Sequence, residues 1–253
     1  MTTRPATPTS RLAPRVRRLA LSVWQVVAGG SLAVGTLIAS PVLRRWYNHW
    51  GATDDEVKAP IPGDDLVNDP KLGYTRGVTI AAPPISVWPW LAQLGQGRGG
   101  FYSYDALENV IGCRIHSTDQ VLPEHQDTAP GDLIRSGPEG KSYAAWEILR
   151  VDAPNHLVMM GAEPATRKAP RVVDQIPDKG YAASTWQWVL RSADGGDSTR
   201  LVVRQRLTYS PRQRLLWRIV EPLNFVMERK MLLGVKDRAE RPGEPTARNK
   251  RSE

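Results

Sequence analysis

Hydrophobic positions recur with a helical period near the end of the chain, from Ser210 to Arg241. At about 100° per residue, the large apolar side chains fall on one broad arc and several charged side chains fall opposite. The apolar set is Leu215, Leu216, Ile219, Val220, Leu223, Val226, Met227, Met231 and Leu233, and the charged set is Arg218, Glu221, Glu228, Arg229 and Lys236. The pattern predicts one long amphipathic helix whose apolar arc packs against a sheet.

Local signals along this segment predict how the helix begins and where it is interrupted. Ser210 suits a helix cap, Pro211 the first helical position, and Gln213 the partner in a capping box. Pro222 removes one backbone hydrogen bond, which predicts a kink or a restart. Gly234 lies on the apolar arc, where its missing side chain predicts a close approach by another segment.

Upstream, alternating apolar and polar positions predict the strands of that sheet. The predicted strands cover residues 74–80, 132–136, 142–152, 156–160, 183–191 and 199–209, and the turn Asp194-Gly195-Gly196-Asp197 joins the last two. Two helices, one opened by Pro83-Pro84 and one over 101–112, follow the first strand. The order predicts an α+β fold in which a bent antiparallel sheet wraps around the long C-terminal helix.

The N-terminal part of the chain has a different pattern. Residues 19–43 contain no charged side chain, and their core, Leu19 to Ala39, would form a helix of roughly 31 Å, about the thickness of the hydrocarbon layer. An aromatic cluster, Trp46-Tyr47-Asn48-His49-Trp50, follows it, as at a membrane interface. We therefore predict a transmembrane anchor, with a cleaved signal peptide or a packed helix of a soluble protein as alternatives.

The charges around this span predict its orientation. Five Arg residues lie within residues 1–18, which places the N-terminus in the cytoplasm and the folded domain outside it, at the cell membrane. The predicted organisation is a disordered basic tail (1–18), the anchor (19–43, with 19–40 in the bilayer), a linker or arm (44–73), the folded domain (74–241) and a disordered tail (242–253).

Charge and cysteine content exclude several classes of function. The formal net charge is +8, but the tails and Arg44-Arg45 supply all of it and leave about −1 for residues 46–240. A near-neutral domain argues against a nucleic-acid interface, which needs clustered Lys and Arg. The single cysteine, Cys113, excludes an intrachain disulfide and a cysteine-based metal site, and we expect it to be a small buried residue.

Two polar motifs invite a catalytic interpretation. The letters of the glycine-rich run 95–100 match a dinucleotide-binding loop, but the run follows a predicted helix and no parallel βαβ unit surrounds it. Residues 116–127 hold His116, Asp119, Glu124, His125 and Asp127, which could ligate a metal or act as acid and base. Their spacing matches no metal motif, so we predict no metal and no cofactor. If the protein is an enzyme, the candidates are Glu124, His125 and His116.

The domain is rich in aromatic residues, and a helix lying across a bent sheet tends to leave an apolar pocket. Aromatic walls with flexible Met side chains suit a flat or flexible apolar ligand. The side chains predicted to line the pocket are Trp88, Tyr102, Tyr104, Trp146, Trp188, Met227 and Met231, with Glu124 as the polar group at its mouth.

Several runs resemble actinobacterial SRPBCC proteins, the START-like polyketide-cyclase and lipid-transport superfamily. They are residues 74–112 with Val87-Trp88-Pro89-Trp90-Leu91 and the glycine-rich run, Ile115-His116-Ser117, residues 122–127 and residues 224–232. The resemblance covers roughly residues 50–240, and members of the subgroup often begin with a hydrophobic segment. It implies a helix-grip fold with an apolar cavity between the sheet and the last helix.

The resemblance does not transfer an activity, because the superfamily mixes carriers, enzymes and regulators. We expect first a membrane-anchored domain that binds a hydrophobic small molecule or lipid without chemistry. A cyclase or aromatase that uses acid and base residues in the same cavity is the second possibility, and a protein-interaction module with a closed pocket is the third. The sequence does not indicate an oligomeric state.

Overall fold

A computed structural model describes residues 29–31, 42–110, 112–137, 145–162, 168–170 and 182–241. Its centre is a six-stranded antiparallel sheet with the strand order β1-β6-β5-β4-β3-β2. The strands are β1 (Leu72–Ile80), β2 (Leu133–Arg135), β3 (Ala145–Asp152), β4 (His156–Ala162), β5 (Ala183–Ala193) and β6 (Ser198–Thr208). Besides the helical residues 42–48, the α-helices are α1 (Asp54–Lys58), α2 (Pro84–Ala92), α3 (Asp105–Val110) and α4 (Arg214–Ala239). The predicted α+β architecture, with a long C-terminal helix against an antiparallel sheet, is confirmed, and it is the arrangement expected of a helix-grip domain.

One face of the sheet packs against the helices. The helix α4 contacts both β1 and α2, so the main core lies between the sheet and these two helices. This core includes Tyr74, Ile80, Val87, Leu91, Trp186, Trp188, Leu201, Val203, Leu232 and Val235. Alternation along the strands aims the strand side chains of this core at the helices. Burying each large side chain stabilises the fold by roughly 1.5–3 kcal/mol.

The opposite face of the sheet is covered by residues 52–68, which we call the arm. Its helix α1 begins with a capping box between Thr53 and Glu56. Buried Leu66 and Val67 pack against Val158 of β4 and its neighbours. Ion pairs tie the acids of the arm to arginines of the sheet, among them Glu56 to Arg200 at 2.7 Å, Asp64 to Arg204 at 2.6 Å and Asp65 to Arg150 at 2.5 Å. The arm is therefore an ordered layer of the domain.

The predicted phase of the last helix is wrong in its first half, whereas Val226 and Met231 of the predicted apolar arc are buried. The residues of α4 that are buried include Glu221, Phe225, Glu228, Leu232 and Val235, which recur at intervals of three and four. In contrast, Leu215, Leu216, Ile219 and Leu223 of the predicted apolar arc are exposed. Met227 is only half-buried, and it does not belong to the main core. The buried carboxylates have cationic partners on other segments, a compensation that hydropathy along one helix cannot reveal.

The start of α4 differs from the prediction, and the helix does not restart at Pro222. Pro222 lies inside a helix that continues from Arg214 to Ala239 without a restart. Ser210 precedes a short turn of 3₁₀ helix and makes no side-chain capping bond, so the predicted capping box with Gln213 is absent. The close approach at Gly234 is confirmed, because an added Cβ there would collide with the backbone of Tyr102.

Most of the predicted anchor lies outside the described residues. Of residues 19–43, only 29–31 and 42–43 are described, and both short stretches are helical. Within the described part of the chain, no helix has the length and apolar character needed to cross a bilayer. The two predicted disordered tails, 1–18 and 242–253, also fall outside the described residues.

Candidate functional site

A buried ion pair joins the sheet to the last helix. The Arg76 side chain on β1 is fully buried, and its Nη1 lies 2.6 Å from Oε2 of Glu228, whose side chain is 3% exposed. Arg76 Nε also donates to the Tyr47 carbonyl at 3.0 Å, and Nη1 donates to Asn224 Oδ1 at 3.1 Å. Taking both charges out of water is costly unless each is paired and hydrogen-bonded, and here both are.

Two further donors converge on the second oxygen of the same carboxylate. The Tyr74 hydroxyl donates to Glu228 Oε1 at 2.6 Å, and Trp186 Nε1 donates to it at 2.9 Å. The pKa of Tyr74 is raised well above its ordinary value, mainly by burial and next by the negative charge of Glu228. The hydroxyl therefore stays protonated and acts as a donor. The Arg76 guanidinium also lies over the Tyr74 ring, 3.7 Å from its centroid.

Two donors in this region have no acceptor among the described residues. They are Nη2 of Arg76 and Nε1 of Trp188, both buried. Arg76 is paired in register with Val203 of β6, and Trp188 of β5 is paired with the same valine. The two side chains therefore point to the same face of the sheet. Their strands, β1 and β5, are separated by β6, so their Cα atoms are roughly 10 Å apart at the usual strand spacing. A buried donor without an acceptor costs about 1–3 kcal/mol.

Aromatic side chains continue from this polar cluster along the same face. The Trp186 ring lies 5.2 Å from the ring of Trp188 and 5.2 Å from that of Trp146, measured between centroids. Phe101 approaches Trp186 at 6.3 Å. The result is a nearly continuous aromatic wall beside two unsatisfied donors.

Five of the eight residues predicted to line a pocket lie in or against the main core, and the other three lie elsewhere. Trp88, Tyr102, Trp188 and Met231 belong to the main core, and Trp146 packs against it. Tyr104 instead packs on a separate cluster made of Tyr47, Phe225 and Val226. The carbonyl of half-buried Met227 accepts a bond from Ser103 Oγ at 2.9 Å, and Glu124 is exposed in the short turn Pro123–His125. The structure thus brings five of the eight predicted residues together.

The predicted acid and base candidates do not face this region. His116 and Glu124 are both exposed. His125 is half-buried, and its carbonyl accepts a bond from Arg98 at 3.2 Å. Among the described residues, no three metal-ligating side chains lie close enough to hold an ion.

A different carboxyl group has the more perturbed environment. Burial, with a smaller contribution from the nearby charge of Asp105, raises the pKa of Glu108 to about 7. Its buried Oε2 has no partner among the described residues, whereas Asp105 accepts bonds from the Ser117 amide and hydroxyl at 2.6 Å. Cys113 is buried nearby, as predicted, and the Glu108 charge and burial raise the pKa of its thiol, with burial the larger cause.

The sequence contains a signal for the buried ion pair. Arg76 falls on the same alternation as Tyr74, Val78 and Ile80, so a cation occupies a face that is otherwise apolar or aromatic. An isolated charge on such a face requires a buried partner. Glu221 and Glu228, seven residues apart on one side of α4, supply carboxylates to that side, and Glu221 accepts from Arg44 Nε at 2.9 Å.

Comparisons with known proteins indicate only distant similarity. No family model matches the chain, and no curated protein matches it. A solved protein from Nitrosomonas europaea is 18% identical with a TM-score of 0.38, over 72% of this chain and 98% of that one. A solved protein from Arthrobacter aurescens is 16% identical with a TM-score of 0.37, over 76% of this chain and 98% of that one. DynU16, from the dynemicin biosynthetic locus, is 13% identical with a TM-score of 0.33, over 65% of this chain and 47% of that one. These values assign the chain to no family, so the resemblance to SRPBCC proteins stays a prediction.

Proposed function

We propose that this protein binds a hydrophobic small molecule or lipid between the sheet and α4, without transforming it. We further propose that residues 19–40 hold it in the cell membrane, with the folded domain outside the cytoplasm. The observation that carries the binding proposal is the pair of buried, unsatisfied donors beside the aromatic wall. Oxygen atoms of a bound molecule would satisfy them, and its apolar part would pack on the indole rings.

The charges of the cluster narrow the chemistry of the ligand. Arg76 is already neutralised by Glu228, which lies 2.6 Å from it. A carboxylate brought to Arg76 Nη2 would meet the negative charge of Glu228 as well, and like charges close together are unfavourable in a buried site. A neutral acceptor, such as a ketone, ester or hydroxyl oxygen, satisfies the donors without this repulsion.

Binding is tested by thermal shift of the full chain in a mild detergent. We expect long-chain ketones or esters to raise the melting temperature saturably, because a ligand at one hundred times its dissociation constant stabilises the native state by about 2.7 kcal/mol. The matched hydrocarbons, which lack the oxygen, should give smaller shifts. Mass spectrometry of lipids extracted from the purified protein identifies the natural ligand.

The role of the Trp188 donor is tested with Trp188→Phe, which keeps an aromatic ring but removes the indole N–H. It should reduce the difference between the ketone and the hydrocarbon. The matched control is Trp217→Phe, because Trp217 Nε1 is also buried without a partner but its ring packs on Tyr209, outside the main core. If no apolar compound shifts the melting temperature, the binding proposal fails and the interaction module replaces it.

The anchor is tested by carbonate extraction of cells that express the full chain. The uncharged run at 19–43 supports retention in the membrane fraction. Recovery of most full-length protein in the soluble fraction would contradict the anchor. Protease accessibility of a C-terminal tag in intact spheroplasts tests the orientation, and a tag that survives until lysis would place the domain inside.

A further inference from the structure

The proposed ligand site is closed in the structure. The side chains of Arg76 and Trp188, which carry the two unsatisfied donors, are both fully buried. A ligand therefore reaches these donors only if a segment of the protein moves aside. Such a segment has to cover the donors without belonging to the main core, because moving the core would unfold the domain.

Residues 42–50, which we call the strap, cover Arg76. Residues 42–48 are helical, and the carbonyl of Tyr47 accepts the bond from Arg76 Nε at 3.0 Å. This carbonyl lies in the last turn of the helix, where carbonyl groups lack partners within the helix. The buried Tyr47 ring stacks on Phe225 of α4 at 5.6 Å, and the Arg76 guanidinium lies 5.1 Å from the centroid of the Phe225 ring. The strap thus closes over Arg76 together with Phe225.

The strap packs along one ridge of α4. Its partners there, Glu221, Phe225 and Arg229, are spaced four residues apart and so follow one another along the same side of the helix. The Arg229 guanidinium lies 5.0 Å from the centroid of the Trp50 ring. Tyr47 and Phe225 belong to a small cluster apart from the main core. Since the main core holds α4, this helix can stay in place when the strap moves.

The polar contacts of the strap form a latch that can release. Glu221 Oε1 accepts from Arg44 Nε at 2.9 Å and from Asn48 Nδ2 at 2.5 Å. The Arg44 side chain is 49% exposed, so water can take its place beside Glu221. Asn48 Oδ1 is buried and has no partner among the described residues. A buried acceptor without a donor destabilises the closed position, so opening recovers part of the free energy that the broken bonds cost.

A glycine marks the point where the strap meets the sheet. Gly51 has a φ of +71°, and an added Cβ would collide with the Gly77 carbonyl. The Gly51 carbonyl accepts from Arg200 Nη2 at 2.5 Å, and the Trp50 carbonyl accepts from the Gly77 amide at 3.1 Å. Beyond this point, ion pairs fix the arm to the opposite face of the sheet. Glycine changes its backbone conformation at low cost, so rotation at Gly51 can swing the strap while the arm stays in place.

We propose that the strap is the lid of the ligand site, hinged at Gly51 and latched on Glu221. In its open position it uncovers a path between β1 and α4 to Arg76 and Trp188. Closing over the bound molecule excludes water, which strengthens the hydrogen bonds made to the two donors. The lid rests on the proposed function, since it has a role only where a ligand binds.

The lid is tested with a reversible cross-link across the latch. The full chain in a mild detergent, with Cys113→Ala to remove the native thiol, carries Asn48→Cys and Glu221→Cys. A two-carbon bis-thiosulfonate joins the two thiols until a reductant releases them. The probe is prodan, a flat aromatic ketone whose emission shifts to the blue in apolar surroundings. We expect energy transfer from tryptophan to prodan to appear in the reduced protein and to be lost while the cross-link is in place.

The matched control places the same cross-link on the opposite face of the sheet. Asp65→Cys and Arg150→Cys replace an ion pair whose atoms are 2.5 Å apart, the same separation as between Asn48 and Glu221. This pair ties the arm to β3 and leaves the strap free to move. Prodan should therefore bind the control protein equally fast with and without the cross-link.

Arg44→Gln tests the latch without a cross-link. The half-exposed Arg44 side chain lies outside the core, so its replacement preserves the fold. The latch is closed both before and after the ligand binds. Weakening it should therefore speed the entry and the release of prodan together and leave the Kd nearly unchanged, a pattern that a merely destabilised site would not give.

The outcomes separate failure of the lid from failure of ligand binding. Prodan that binds the cross-linked and the reduced protein at the same rate overturns the lid, and ligand binding then stands with another route of entry. Unchanged rates in Arg44→Gln would likewise overturn the latch on Glu221. If the parent protein binds neither prodan nor the ketones and esters of the thermal-shift test, the proposed function fails and the lid fails with it.

Discussion

The two halves of the last helix differ in the relation between hydropathy and burial. In residues 214–223, only Glu221 and Pro222 are buried, and the leucines of this half face solvent. In residues 224–239, the buried set includes Phe225, Leu232 and Val235, together with the charged Glu228. Both halves belong to one continuous helix, so the difference comes from what lies beside each half. The second half has the sheet, with the cation of Arg76, and the first half extends beyond it.

The comparison shows that the face a helix buries depends on its partner as well as on its own hydropathy. A carboxylate is buried where Arg76, Tyr74 and Trp186 satisfy it. A leucine stays in solvent where no apolar surface of the domain reaches it. The variants below either remove the partner or remove the side chain from each half.

The largest expected effect comes from Glu228→Gln. This change leaves the Arg76 charge buried without its counter-ion, and breaking such a pair typically costs about 3–5 kcal/mol of unfolding free energy. Denaturant melts of the full chain in a mild detergent measure it. The double variant Arg76→Met with Glu228→Leu should recover much of the loss, because apolar replacement of a buried pair is often neutral. A loss below 1 kcal/mol for Glu228→Gln would mean that the pair is solvated.

Glu108 provides a contrast, because its buried Oε2 has no partner among the described residues. Its pKa rises from an ordinary 4.5 to about 7 on folding. The native state therefore binds this proton more tightly, and the stability it contributes is complete below about pH 4.5 and lost as the pH rises through about 7. Glu108→Gln should remove this loss and stabilise the protein near pH 8 by up to about 3 kcal/mol. Melts near pH 5 and pH 8 measure the difference, and a parallel pH dependence in both proteins would contradict the assignment.

Gly234→Ala tests the tight packing of the second half. The added Cβ would collide with the Tyr102 carbonyl, so we expect a loss of about 1–3 kcal/mol despite the better helix propensity of alanine. The control is Gly161→Ala in β4, where the nearest atom would be 3.6 Å from the new Cβ, an ordinary contact. Equal melts for the two variants would show that Tyr102 and α4 move apart easily.

The smallest effect is expected in the first half of the helix. Ile219→Gln changes an exposed side chain, so the unfolding free energy in detergent should shift by no more than about 0.5 kcal/mol. Leu232→Ala, in the fully buried part of the same helix, should cost about 2–5 kcal/mol. A large cost for Ile219→Gln would mean that another part of the protein covers this side chain.

The sequence predicted the order of elements because that order depends on local periodicity. The hairpin of β5 and β6 with its glycine turn, the two short helices and the long α4 all formed near the predicted positions. The Ala183 to Thr208 hairpin needs only alternation and a turn signal, which neighbouring residues supply. The close approach at Gly234 was also predictable, since glycine on an apolar arc has few other uses.

The candidate site was predicted only in part, because it depends on contacts between distant residues. Arg76 and Glu228 are 152 positions apart, and their pairing determines which face of α4 is buried. The prediction that Glu221 and Glu228 lie on the exposed face was wrong for this reason. Trp188 and Met231 were correctly placed in the core because aromatic and Met side chains bury in almost any arrangement. No local pattern indicates that Glu108 Oε2 is buried without a partner among the described residues.

The contacts of the arm, and of Trp50 just before it, determine where a shorter version of this protein can begin. The Gly77 amide on the edge of β1 donates to the Trp50 carbonyl at 3.1 Å, and Arg204 donates to the carbonyls of Glu56, Val57 and Ala59. A fragment that starts at residue 74 would cut away all of these acceptors and expose an uncovered sheet face, which favours aggregation during expression. A fragment that starts at residue 42 keeps them, and with them the cover of the sheet.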